Sequence, residues 1–202
     1  MRTLKAFAIS AAAAAVVGLA STAQAEPRTF EVDPSHTNIL FTISHFGYSN
    51  MIGQFQEFAG EFTFDKDAPE TSQVSLTIQA DSLDTDHEKR DEHLKGPDFL
   101  NAGEYPTITF ESTGIEVTGE STGKLMGDLT MHGRTRPVTL DATFNRMAPH
   151  PIPAYDGVLV AGFSARGTIK RSDWGVSAYA PNISDEMKLI IEVEGHEKEA
   201  SE

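Results

Sequence analysis

Seven histidines are the chain's candidate acid–base groups and metal ligands, and no cysteine stands beside them. Thiol catalysis and cysteine metal sites are therefore excluded. His45 is the most informative. It closes the run Asp33-Pro-Ser-His-Thr-Asn-Ile-Leu-Phe-Thr-Ile-Ser-His-Phe46, in which Ile39, Phe41 and Ile43 share one face of an alternating pattern. A histidine that ends an apolar stripe is either a core residue with a hydrogen-bond partner or a polar group at the mouth of a hollow. His36 and His45 are an odd number of residues apart, so a regular strand sends them to opposite faces. His87 and His93, six apart, are separated by a net rotation of about 240° on a helix. No local histidine pair chelates, and a zinc site requires long-range assembly; no metal is expected. Arg90 and Asp91 are adjacent and point outward or across to a rim. Arg171-Ser-Asp-Trp174-Gly is a second polar cluster, readable as a turn with a packed aromatic or as a cap with a cation for an anionic headgroup. The sequence contains no Walker loop, no G-x-S-x-G and no H-E-x-x-H.

The elements that must position these groups are strands. Beyond the opening stripe, Phe58, Gly60, Phe62 and Phe64 alternate with polar residues, as do Val74, Leu76, Ile78 and Ala80. Further stripes include Ile108 and Phe110, Leu125 to Met131, Val138 to Phe144, Leu159 to Ile169, and Met187 to Val193. Eight or nine such segments, separated by Gly/Pro turns, predict an all-β antiparallel sandwich or barrel. Thr85-Asp-His-Glu88 reads as a capping box opening one short helix around residues 86–95, stopped at Gly96-Pro97 and docked through Leu94, Phe99 and Leu100. Residues 145–157, with three prolines, read as a surface loop, and residues 195–202 as a disordered tail. For the phenylalanine-rich inward faces a filled core is the default, and an eight-stranded barrel is also wide enough for a ligand tube. The small positions Gly60, Ala80, Gly127 and Ala161 would leave room for a slender ligand.

Residues 1–25 form a cleavable export signal: Arg2 and Lys5, an apolar run from Ala6 to Leu19, and Ala23-Gln-Ala25. That run is short for a membrane span. The expected product is a periplasmic protein of one domain over residues 26–194, with no integral membrane segment. Its net charge is −16, because Arg2 and Lys5 are lost from a chain of 16 basic and 30 acidic side chains. Such a surface repels nucleic acid and anionic headgroups.

Several segments resemble one family in order: the opening run through Gly47, Gly53-Gln-Phe-Gln-Glu-Phe-Ala-Gly-Glu-Phe-Thr-Phe-Asp65, Ser82-Leu-Asp-Thr85 and Arg90-Asp-Glu-His-Leu94. Tyr105-Pro-Thr-Ile-Thr-Phe-Glu-Ser-Thr113, Gly127 to Val138 and Arg171 to Val176 continue the match. Over about Phe30 to Val193 the chain resembles the YceI-like family, although Trp174 stands where that family often has phenylalanine. The resemblance implies an extended eight-stranded, lipocalin-like antiparallel barrel. It also implies a periplasmic carrier, not an enzyme, whose pore holds a polyisoprenoid such as a polyprenyl phosphate or a quinone tail, with no further cofactor and with a homodimer as an option. A lipid-modifying enzyme and a stress-response interaction module are the alternatives. The expected pore wall is Ile39, Phe41, Ile43, Phe58, Phe62, Phe64, Leu76, Ile78, Phe110, Leu129, Phe163, Trp174 and Leu189. The expected headgroup rim is His45, Arg90, His93 and Arg171.

Overall fold

The computed structural model describes residues 27–155 and 157–198. The proposed signal segment lies outside the described residues. Eleven strands form one antiparallel sheet: β1 (Arg28–Val32), β2 (Asn38–His45), β3 (Ser49–Phe55), β4 (Phe58–Phe64), β5 (Gln73–Gln79) and β6 (Leu83–Asp84). After helix α1 (Glu88–Lys95) come β7 (Thr107–Val117), β8 (Thr122–Met131), β9 (Arg134–Pro149), β10 (Leu159–Lys170) and β11 (Ile183–Glu197). Eight of them close a barrel in the order β1-β4-β5-β7-β8-β9-β10-β11, with β1 paired back onto β11. The ribbon β2-β3-β6 extends the wall from the first half of β11. The eight-stranded barrel expected from the sequence is the fold observed. Closure removes the unpaired edges that an open sheet of this length would expose.

Local sequence explains the register. His132 and Gly133 both take positive φ, 49° and 69°, in the two-residue turn from β8 to β9. That conformation matches the right-handed twist of a tight hairpin, and it aligns Met131 with Arg134. In β2–β3, Phe41 faces Gly53, where an added Cβ would stand 2.3 Å from the Phe41 ring. The missing side chain lets that ring lie across the strand. It also weakens the apolar alternation of 49–55, so β3 is not apparent from sequence pattern.

Three boundaries differ from the sequence reading. Strand β9 runs through 145–149, where a loop was expected, because Arg146 to Pro149 pair with β10 as far as Leu159. The pairing partner decides this: Pro149 lies opposite Leu159, and the following His150 amide still donates to the Val158 carbonyl at 2.8 Å. Gly195–Glu197 are not a frayed tail: they pair with Val32–Phe30 and close the barrel. Residues 199–202 lie outside the described residues. Helix α1 is capped by His87, whose side chain accepts from the Arg90 amide, not by a Thr85–Glu88 box. The Thr85 hydroxyl instead bonds Asp91 and accepts from Arg90 Nε. Among the described residues no helix is long and apolar enough to cross a membrane.

Candidate functional site: an apolar tube closed at one end

The barrel encloses a cavity of about 850 Å³. This lies toward the upper end of small-molecule sites, which run from about 300 to 1,000 Å³. Strand alternation builds its wall. Ile39, Phe41 and Ile43 from β2, Phe62 and Phe64 from β4, and Leu76 and Ile78 from β5 all face it. Phe110, Leu129, Phe163 and Leu189 also face it, and Phe144, Ile191 and Val193 add to the expected residues. The docking residues proposed for the helical segment, Leu94, Phe99 and Leu100, also line the cavity.

Phe58 and Trp174 do not belong to this wall. Both are buried in the core outside the cavity lining. Trp174 is 1% exposed, and its Nε1–H donates to the Leu129 carbonyl at 3.0 Å. It fills the barrel end instead of capping a mouth. The room offered by small residues is likewise taken by neighbours. The Phe110 ring occupies the space above Gly127, and the Leu76 side chain comes within 3.0 Å of where a Gly60 Cβ would be. The hollow therefore arises from the span of the whole barrel, not from individual small positions.

The headgroup rim expected from the sequence is not assembled. Arg171 does line the cavity, but at its closed end and 3% exposed. Four of its N–H groups donate to the carbonyls of Ser184, Val176, Ala178 and Ile183, at 2.8–3.0 Å. A guanidinium has five such donors, so this one serves mainly to tie the 171–184 segment together. Desolvation lowers its pKa, against the opposing pull of Asp185. Burial pushes the Asp185 carboxyl up. The Ser172 hydroxyl and amide, with Arg171 nearby, outweigh that and leave it below the ordinary range. Arg90 is spent on Thr85, donating to its hydroxyl and its carbonyl. His93 is exposed, with its ring 5.1 Å from Phe99 and 3.9 Å from the Asp98 carboxylate. His45 ends β2, in the ribbon outside the closed ring; it is exposed, packs edge-on to Phe46, and does not line the cavity.

The polar mouth is at the other end. Lys66 and Ser72, from the β4–β5 connection, and Glu120 to Thr122, from the β7–β8 turn, line the cavity there with Asn145. Ser72 is buried, and its Oγ has no hydrogen-bond partner. A buried unpaired hydroxyl is uncommon enough to mark a contact point. The sequence held a signal for this end: in an antiparallel barrel alternate hairpin turns share one rim, so the turns at 65–72 and 118–121 belong together.

The sequence profile of the YceI-like domain matches residues 30–195. The chain belongs to the YceI-like family. This YceI-like chain is 39% identical to a UPF0312 protein of Ectopseudomonas mendocina over 189 residues, covering 92% of this chain and 97% of that one. A UPF0312 protein of Pectobacterium carotovorum is also 39% identical, over 95% and 97% of the two chains. Among solved structures, the YCEI protein of Campylobacter jejuni superposes with a TM-score of 0.70 at 36% identity, over 78% of this chain and 91% of that one. Burkholderia cenocepacia BcnA, at 22% identity and TM-score 0.73, covers 81% and 98% and shares the fold. So does a polyisoprenoid binding domain from Saccharophagus degradans, at 12% identity and TM-score 0.62, over 84% and 98%.

Proposed function

We propose that this YceI-like protein is a periplasmic carrier that holds one slender apolar lipid of the polyisoprenoid class, a polyprenyl phosphate or a quinone tail, inside the barrel. The observation that carries the reading is the continuous apolar tube of about 850 Å³, blocked at the Arg171 end and polar at the other. A solved structure of the same fold comes from a protein described as a polyisoprenoid binding domain. Removal of residues 1–25 would deliver the chain to the compartment where such a lipid must cross water.

The energetics suit this use. Burying a five-carbon unit gains roughly 3–4 kcal/mol gross, at about 0.8 kcal/mol per methylene. Association costs on the order of 4–15 kcal/mol before any gain appears. Several units together exceed that cost, and the wall needs no directed polar contact to hold them. The blocked end sets how far the chain enters, and the head then meets Ser72 Oγ and Lys66 at the mouth. Between the mouth and Arg171 the wall is apolar, which favours binding as the role of the tube.

The test is gentle purification of the full chain from its exported fraction, organic extraction and mass spectrometry. A prenyl lipid at near one per protein is the expected result. Its reproducible absence, together with no uptake of added ubiquinone or polyprenyl phosphate, would overturn the proposal.

A further inference from the structure

On the outside of the barrel, at the seam where β1 closes against β11, four side chains that the tube does not use converge. Asp33 and His36 come from the turn after β1. Glu194 and His196 are two apart on β11 and so share its outer face, opposite the wall residues Ile191 and Val193. The main chain fixes the two pieces together: the Asp33 amide donates to the Glu194 carbonyl at 2.8 Å, and the Glu194 amide donates to the Thr37 hydroxyl at 3.1 Å.

Ligand atoms of Asp33, His36 and Glu194 all lie within 4.8 Å of one another, and His196 Nε2 approaches two of the three. His36 Nδ1 is 2.6 Å from Asp33 Oδ2 and 3.8 Å from Glu194 Oε1. His196 Nε2 is 3.8 Å from Asp33 Oδ2 and 3.5 Å from Glu194 Oε1. A tetrahedral divalent ion with ligands at about 2.0–2.2 Å places its donors roughly 3.3–3.6 Å apart. Three of the four separations fall within a few tenths of an ångström of that range. The fourth is a hydrogen bond whose proton a metal would replace. His196 Nε2 is itself buried and has no hydrogen-bond partner. Among the described residues, the ion-pair partners of Asp33 and Glu194 are imidazoles alone, with no lysine or arginine. Two carboxylates and two neutral imidazoles carry a charge of −2, which a divalent cation balances.

We propose that Asp33, His36, Glu194 and His196 form a binding site for a first-row divalent transition metal of the zinc class. Two imidazoles and two carboxylates suit zinc, with cobalt and nickel as spectroscopic stand-ins, better than magnesium or calcium, which prefer all-oxygen shells. The ion would staple the turn after β1 to β11 and lock the seam that makes the barrel a closed tube.

The test uses the full chain stripped with chelator and titrated calorimetrically with zinc sulfate, then with cobalt(II) followed by visible absorption. Expected are one ion per chain, an intense tetrahedral cobalt spectrum, and a melting temperature that climbs with the logarithm of free zinc. His36→Gln and His196→Gln should each weaken binding at least about tenfold. The control His93→Gln should leave it unchanged. Circular dichroism of each metal-free variant confirms that the loss is one of ligation and not of folding. Absence of saturable binding, or binding indifferent to both substitutions, would overturn the site. Because zinc is the probe and no lipid is involved, either result is independent of whether the tube carries a polyisoprenoid.

Discussion

The two ends of the tube solve opposite problems. At the closed end a guanidinium and an indole are taken out of water, and both are supplied with partners: four carbonyls for Arg171 and the Leu129 carbonyl for Trp174 Nε1. At the mouth the chain leaves a buried serine hydroxyl unpaired, and Lys66, paired with Asp67, lines the same end. Between them the wall is almost entirely aliphatic and aromatic, yet it does not close on itself. A satisfied polar cluster is rigid and position-specific. An apolar wall around a void forgoes dispersion contacts that a filled core would have made. Under the proposed function the floor carries the stability of that end and the tube carries the ligand, so mutations should separate the two.

Arg171→Ala is expected to do the most damage. It strands buried carbonyls that four hydrogen bonds now satisfy, a loss of about 3–5 kcal/mol in urea unfolding. If the loss were below about 1 kcal/mol, the distinction between the ends would be gone. Leu76→Trp is the converse substitution. It fills the tube from β5 and should abolish lipid retention by at least an order of magnitude, while changing stability by less than about 1.5 kcal/mol because the added volume enters empty space. Ser72→Ala removes the unpaired hydroxyl at the mouth. It should weaken binding of a ligand with a polar head by about fivefold, near 1 kcal/mol, and leave binding of a pure hydrocarbon of equal length untouched; competition between the two ligands reads this directly. The smallest effect is at Asp185. Its carboxyl is depressed in the folded state, so its contribution exists above the ordinary carboxylate range and disappears as pH falls through the folded value. Asp185→Asn should therefore cost stability at pH 7, by less than about 1 kcal/mol, and less at a pH below the ordinary carboxylate range. Urea midpoints at the two pH values measure this.

Much of the wall was legible because alternation in a barrel strand has one meaning: Phe62, Leu76, Phe110 and Leu189 face inward wherever the register places them. Strand β3 was not legible, since Gly53 exists to accommodate the Phe41 ring and breaks its own strand's pattern. The rim residues failed for a different reason. Arg90, Arg171, His45 and His93 are polar residues near turns, but whether such a residue is free or spent depends on how the backbone folds back around it, as it does on Thr85 for Arg90 and on four carbonyls for Arg171. Arg171 finds its partners as much as 13 residues on. The seam cluster was missed on similar grounds. Local spacing relates a histidine only to its sequence neighbours, whereas His36 meets Glu194 and Asp33 meets His196 from opposite ends of the barrel sequence.

By itself, then, the sequence determined the strand-rich architecture, the family, the apolar character of the inward faces and the acidic exterior. These depend on side-chain type and on a period of two, which are local properties. Only the tertiary structure decided that the barrel is hollow rather than filled, which end is open, and that Arg171 and Trp174 belong to its floor. Those outcomes depend on how far apart opposite walls stand once β1 pairs with β11, and on which distant carbonyls claim each buried donor. Both follow from closure of the ring, and no segment of the chain encodes closure alone.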